Sequence, residues 1–348
     1  MLGFLISLTE QTVAENKRLI ERMAQTGSRY AFTSLQMPEE KPADLQAVLL
    51  EIGACLKAHQ VQWIADVSPM TFEQFTLNRL KAFGFTGLRI DDGISMADIA
   101  AMTEEWQIIL NASTLTAADM NDLMNNHAHM NRLAAWYNYY PRPETGLERE
   151  AFIKHTAFIK SYAIETGAFI HGDGKQRGPI YAGLPTLEEH RDVHPLAQYL
   201  DLRDCGIDTV LVGDLSLQSA TMAQFERWFT DQLLLLHVDN QSDFAWLDDV
   251  FHVRRDVARD VIRAADSRVR LAQRYHPIAA EQTNERLRGC ITIDNAAYLR
   301  YEGEVQIMLT DLQADSRVNV LGQVITGEHS LLRFLNRPGT AFAFSAVK

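Results

Sequence analysis

Eight times in its first two thirds the chain sets down a short apolar run, a polar residue at its end, and then a helix-like stretch. The runs fall at 2–8, 30–35, 62–67, 87–91, 107–113, 132–140, 167–171 and 208–214, with helix-like segments between them such as 11–23, 42–58, 116–126, 148–165 and 219–231. Strands alternating with helices over roughly 235 residues predict an α/β fold, a (β/α)8 TIM-type barrel. The nearly continuous apolar character of the runs suits a sheet buried on both faces. A doubly wound open sheet shares this rhythm and is the rival topology.

The pattern changes further on. Residues 233–238 read as one more strand, leading out of the barrel, and 240–266 are polar, with Arg254-Arg255-Asp256, as in a linker carrying a short helix. Short strands with turn residues follow at 290–294, 304–309, 317–324 and 340–346. A chain of 348 residues exceeds what one core usually serves. The expected division is a barrel over 1–239 and a linker plus β domain over 240–348.

Charge and cysteine usage narrow the function classes. A net charge of -12 argues against a nucleic-acid or anionic-membrane surface, which needs clustered Lys and Arg. A small anionic substrate remains compatible, since a few local cations or helix N-termini suffice. Cys55, Cys205 and Cys290 are far apart and form no CxxC pair, which suits a reducing compartment and suggests neither a disulfide framework nor a zinc site. The apolar start, 1–8, is too short for a signal peptide and lacks a basic flank, so it reads as a buried strand. No run of about 18 apolar residues appears, so no membrane span is expected.

In such barrels the reacting groups sit at the C-terminal strand ends. Here those ends carry Ser7, Ser34, Asp66, Asp91, Asn111, Asn138, His171 and Asp214. Side chains alternate between the barrel interior and the helix layer. In Leu88-Arg89-Ile90-Asp91 the helix layer takes Leu88 and Ile90, because a charge packed there would be unpaired. Arg89 and Asp91 therefore face inward together, Asn111 joins them with Ile109, and Asn138 with Trp136 and Tyr140. Two inward carboxylates on adjacent strands, Asp66 and Asp91, are the pair that glycoside hydrolysis requires. A satisfied ion pair with Arg89 is the plain alternative for each. Asp92 points the other way or caps the turn at Gly93.

Two loops stand out. Residues 136–146 combine Trp136, Tyr137, Tyr139 and Tyr140 with Asn138 and Arg142, a composition suited to a sugar ring and an anionic substituent, or to a Pro-stiffened rim. Residues 171–178 combine glycines with Lys175 and Arg177, a set able to hold a phosphate through backbone N–H groups and charge. Thr186 precedes Glu189 by three, the spacing of a capping box at a helix start. The histidines show no metal-binding spacing, so no metal or other cofactor is expected.

Taken together, several segments resemble the bacterial 6-phospho-N-acetylmuramidases. In the barrel they are Asp66-Val67-Ser68-Pro69, Leu88-Arg89-Ile90-Asp91 with Gly93, 109–113, Asn138-Tyr139-Tyr140-Pro141-Arg142 with Thr145-Gly146-Leu147, and 186–191. Beyond it they are Ile293-Asp294-Asn295, 301–307 and 317–322. Each motif alone is weak; the ordered set covers nearly the whole chain. Small departures are Leu8 after Ser7, where Tyr-Pro is usual, and Gly213-Asp214, where an amide is common. The resemblance implies a barrel joined to a cyclophilin-like all-β domain. It also implies cytoplasmic hydrolysis of the β-1,4 bond of 6-phospho-N-acetylmuramyl-N-acetylglucosamine in peptidoglycan recycling.

The combined reading is a glycosidase acting on a phosphorylated muramyl disaccharide. Asp66 and Asp91 form the catalytic pair. Arg89, Asn111, Asn138 and Tyr140 hold the sugar, with Arg142, Lys175 or Arg177 near the phosphate or lactyl carboxylate. The 2-acetamido carbonyl of the substrate is an alternative nucleophile. A phospho-sugar lyase or isomerase would need a strand-end lysine or a metal cluster, and neither is evident. A non-enzymatic carbohydrate binder would use the C-terminal domain.

Overall fold

The computed structural model describes residues 1–35, 44–240 and 249–347. The chain divides into two compact units, 1–221 and 222–348. In the first, eight parallel strands close into a barrel, each paired to the next and β8 to β1. They are β1 (Leu2–Leu5), β2 (Tyr30–Ser34), β3 (Gln62–Val67), β4 (Gly87–Ile90), β5 (Gln107–Asn111), β6 (Leu133–Trp136), β7 (Glu165–Ile170) and β8 (Thr209–Val212). All eight lie within two residues of the runs seen in the sequence or overlap them. Helices fill the connections, and the closed order excludes the open sheet.

The barrel interior is an apolar plug. Leu5, Phe32, Ile64, Ile109, Ala134, Trp136, Phe169, Leu211 and Leu215 form one buried cluster. Trp136 fills its centre, edge-on to Tyr30 at 5.8 Å between centroids. Room for that indole comes from Gly167 on the neighbouring strand, where a Cβ would lie 2.2 Å from Trp136 Cδ1. The middle of the barrel is therefore filled by apolar side chains, and Asp66, Arg89 and Asn111 lie above it toward the strand tops.

Helices that periodicity reveals include Val13–Gln25, closed by a capping box between Thr12 and Glu15, and Leu45–Ala58, capped by Asp44. The expected start of the latter at residue 42 lies outside the described residues. Helices Pro69–Gln74, Leu77–Phe83 and Met96–Met102 are short, and Pro195–Asp204 is buried at every position from Pro195 to Leu202. A helix buried on all sides carries no polar stripe, so its period does not show in the sequence. The expected capping box at Thr186 is absent. The turn Glu188–His190 is a single 3-10 turn with no side-chain cap, and Thr186 instead inserts between β6 and β7: its hydroxyl donates to Asn138 O at 2.9 Å and accepts from Phe169 N at 2.8 Å.

The second unit is a seven-stranded mixed sheet. Its strands are β9 (Leu233–Asn240), β10 (Phe251–His252), β11 (Val261–Arg263), β12 (Cys290–Asp294), β13 (Val305–Met308), β14 (Val318–Val324) and β15 (Ala341–Ala346), in the order β10-β15-β9-β14-β12-β13-β11. The strand leading out of the barrel, β9, is thus a central member of this sheet, parallel to β15 and antiparallel to β14. A helix, Ser267–Tyr275, follows β11.

His237 on β9 meets the buried Glu328, whose carboxylate also accepts from the His237 backbone N–H at 2.7 Å; Nδ1 lies 2.6 Å from Oε1. The carboxylate raises the imidazole pKa above its ordinary value. A group raised on folding stabilises the fold fully below its unfolded pKa, and that contribution is lost as pH rises through the folded one. Thermal unfolding followed from about pH 6 to pH 9 should therefore show falling stability in the wild type. Glu328→Gln should flatten that slope.

Candidate active site

The strand tops bring together the residues that parity had grouped. Register places Ser34 beside Asp66 and Asp66 beside Arg89, so β2, β3 and β4 present a hydroxyl, a carboxylate and a guanidinium in one row. Arg89 is 4% exposed. Its Nη1 donates to Asp66 Oδ1 at 2.8 Å, and its Nη2 reaches Asp91 Oδ1 at 3.3 Å and Asn138 Oδ1. From β5, Asn111 Nδ2 donates to Asp91 Oδ1 at 2.8 Å. One guanidinium therefore ties together both carboxylates and, with Asn111, two amides.

The two carboxylates sit differently. Asp66 is buried, with Oδ1 on Arg89 and Oδ2 accepting from Ser34 Oγ at 3.3 Å. Burial pushes its pKa up, and the Arg89 charge opposes that shift. The Asp91 side chain is 40% exposed and uses only Oδ1 for its bonds to Arg89 and Asn111, which leaves Oδ2 without a partner among the described residues. Asp92 is exposed and its Oδ1 accepts from Gly93 N at 2.7 Å, as a turn cap. Ser113 completes this side: its Oγ accepts from Asn138 N at 3.0 Å and from Tyr140 OH at 3.3 Å.

Five amides of the glycine loop after β7 are hydrogen-bonded within the protein. Gly172 N and Arg177 N donate to the Asp214 carboxylate at 2.9 Å each, Lys175 N to Ser216 Oγ at 2.8 Å, Gly174 N to Ser216 O at 3.2 Å, and Gly178 N to Glu10. Any phosphate held by these five N–H groups would compete with the protein's own acceptors. Lys175 Nζ donates to Glu10 O at 2.8 Å from an exposed position. Arg142 is exposed, and no side-chain partner is described for it. Arg177 is buried, with Nη1 donating to Tyr139 OH at 3.1 Å, its guanidinium 5.7 Å from the Tyr139 ring centroid, and Nε 3.9 Å from Glu10 Oε1. Tyr139 in turn packs edge-on against Phe169 of the interior cluster.

Three functional supports were not singled out in the sequence. Glu10 meets Gly178 and approaches Arg177; Asp214, which the sequence shows as a strand end and a departure from the family pattern, organises the loop after β7. The third is Glu188, whose carboxylate accepts from Glu144 N and Gly146 N, at 2.8 and 2.7 Å, and from Arg191 at 2.7 Å. Arg191 spans to Tyr140 O and Ala182 O, so the pair clamps the Tyr-rich loop to the next one. Glu189, His190 and Asp201 form a group with ligand atoms within 4.8 Å of one another. The Arg149 guanidinium already pairs with both carboxylates.

A closed (β/α)8 barrel with a guanidinium-bridged carboxylate pair at its strand tops places the chain among the TIM-type barrel proteins. The family follows from comparison with known proteins. Residues 2–227 match the model of the N-terminal part of 6-phospho-N-acetylmuramidase, and residues 234–345 that of its C-terminal part. The chain belongs to this family, and membership supports a glycosidase role. Among solved structures, a conserved protein of unknown function from Enterococcus faecalis is similar at 34% identity and TM-score 0.90, covering 99% of this chain and 96% of that one. An uncharacterized B. cereus protein is similar at 26% identity and TM-score 0.75, covering 99% of both. No curated protein matches. No helix among the described residues is long and apolar enough to cross a membrane.

The Arg89–Asp66 pair should be costly to break from one side. Arg89→Met leaves Asp66 buried without its countercharge, and losses of about 3–5 kcal/mol are usual for that change. Denaturant unfolding should register a drop of this size. A stability change below about 1 kcal/mol would mean that the pair behaves as a solvated one.

Proposed function

We propose that the barrel hydrolyses the β-1,4 bond of 6-phospho-N-acetylmuramyl-N-acetylglucosamine in the cytoplasm, as a step of peptidoglycan recycling. The observation that carries this reading is the Arg89-bridged pair, Asp66 and Asp91, at the strand tops of a chain belonging to this family. Cleavage needs a group to exchange a proton with the glycosidic oxygen and a negative charge beside the oxocarbenium-like centre. Asp91, more open and with Oδ2 free of partners, is the better placed to meet the reacting atoms. Asp66, held beneath by Arg89 and Ser34, supplies charge and fixes the guanidinium that in turn fixes Asp91. If the substrate's acetamido oxygen attacks C1, Asp91 is the group to orient that amide, and Asn111, Asn138 and Tyr140 frame the ring.

For the phosphate or the lactyl carboxylate, Arg177 is the strongest of the three cations. It is buried, oriented by Tyr139, and in contact with Glu10 only at 3.9 Å. Lys175 and Arg142 remain secondary, the first tied to a carbonyl and the second on the exposed rim.

Cleavage of the disaccharide with and without the 6-phosphate tests the reading directly; absence of turnover on the phosphorylated form would refute it. Asp91→Asn is nearly isosteric and should lower kcat by at least about 10²-fold with the fold intact, whereas Asp92→Asn should change it little. A near wild-type kcat for Asp91→Asn would leave Asp91 as no more than an Arg89 partner.

Charge-assisted hydrogen bonds to phosphate are worth roughly 1.5–3 kcal/mol each. Arg177→Ala should therefore lower kcat/KM for the phosphorylated disaccharide by about 10–100-fold and leave slow cleavage of the unphosphorylated one unchanged. Equal losses on both substrates would move the anion site elsewhere.

A further inference from the structure

Beyond Arg177, the loop after β7 turns a large aromatic side chain into solvent: Tyr181 is 59% exposed. The stretch that carries it is held at both ends. Gly178 N donates to Glu10, and Arg191 Nη1 donates to Ala182 O at 3.1 Å and to Gly183 O at 3.4 Å. A few residues further on, Thr186 returns the chain to the strand tops through Asn138 O and Phe169 N. Tyr181 therefore stands on a fixed segment at the C-terminal face of the barrel, the face on which such barrels bind substrate.

Its backbone is strained. Tyr181 has φ +57°, in the left-handed region that residues with a Cβ avoid, and it is the only Phe, Tyr or Trp there among the described residues. The phenol end lies against Gly178: a Cβ on that glycine would come within 3.0 Å of Tyr181 Oη and 3.1 Å of Cζ. The same point is 3.5 Å from Glu10 Oε2. The glycine thus makes the room that the phenol occupies, one residue from Arg177 and beside Glu10. Folding gains little in return, because the ring stays mostly in water and its hydroxyl bonds no described residue.

Arg177 has an unused donor of its own. Its Nη1 is taken by Tyr139 OH and its Nε faces Glu10 Oε1 at 3.9 Å, while Nη2 bonds no described residue. Glu10 offsets part of the guanidinium charge, so an anion held there calls for a further donor. A phenol O–H supplies one without adding charge. We propose that Tyr181 is a substrate-binding residue, its hydroxyl donating to the anionic substituent that Arg177 holds. This rests on the reading of the barrel as a glycosidase for a phosphorylated muramyl sugar. The strained backbone at 181 and the bare Cα at 178 then serve one end, a hydroxyl kept on a pinned loop beside the arginine.

Calorimetric titration of the full chain with N-acetylglucosamine 6-phosphate, N-acetylmuramic acid and N-acetylglucosamine tests this without turnover. Wild type should bind at least one of the two anionic sugars more tightly than N-acetylglucosamine. Tyr181→Phe keeps the ring and removes only the hydroxyl; it should weaken that anionic sugar by about 10-fold and leave N-acetylglucosamine unchanged. Which anionic sugar loses affinity tells whether phosphate or lactyl carboxylate sits at Arg177. Tyr181→Gly, free to adopt positive φ, should lose at least as much affinity without melting at a lower temperature. No anionic preference in wild type, an unaltered preference in Tyr181→Phe, an equal loss on N-acetylglucosamine, or a lower melting temperature of Tyr181→Gly would each overturn the proposal. Turnover of the phosphorylated disaccharide by wild type, measured alongside, separates the two readings. Turnover with an unaltered preference in Tyr181→Phe removes Tyr181 alone, whereas a lost preference without wild-type turnover removes the glycosidase reading alone.

Discussion

A buried guanidinium at the boundary between a dry plug and a polar mouth governs the barrel. Below Arg89 lie Ile64, Ile109 and Trp136, which offer it nothing; beside and above it lie Asp66, Asp91 and Asn138, which take its donors. A charge at that depth is tolerated only with close partners. The requirement runs both ways, because Asp66 is equally buried and depends on Arg89 for its own charge. The positions of both carboxylates are thereby fixed by the protein itself.

The loops around this centre are held by a different device, carboxylates that gather backbone amides. Asp214 holds the ends of the glycine loop, Glu10 its last residue, and Glu188 the turn after the Tyr-rich segment. Each converts a flexible connection into a fixed one without a secondary-structure element. Rigid loops on a rigid barrel are the ordinary arrangement for a site whose residues come from several strands. Arg177 gains its position from this framing, since its backbone is pinned by Asp214 while its side chain rests on Tyr139.

In the second unit the same accounting shows which polar residues anchor loops. Asn295 and Asn319 bond one another and the carbonyls of Ser316 and Ala279, and Glu302 accepts from Ile278 N and meets His276. These polar residues of the family-like segments are satisfied within the fold and explain themselves as loop anchors. The buried Thr292 hydroxyl on the same sheet has no hydrogen-bond partner.

What the sequence determined by itself was whatever depends on local period. Apolar runs alternating with helix-like stretches located all eight barrel strands, and parity within them sent Asp66, Arg89, Asp91 and Asn111 to one interior, because a strand's facing is set by its immediate neighbours. Tertiary structure decided everything that depends on partners remote in the chain. That Gly178 N is held by Glu10, that Thr186 serves β6 and β7 instead of capping a helix, and that β9 joins the second sheet are contacts across tens to more than a hundred residues. An amide that looks free in a glycine-rich loop is free only if no distant acceptor reaches it. No period in the sequence encodes that competition, which is settled when the chain closes on itself.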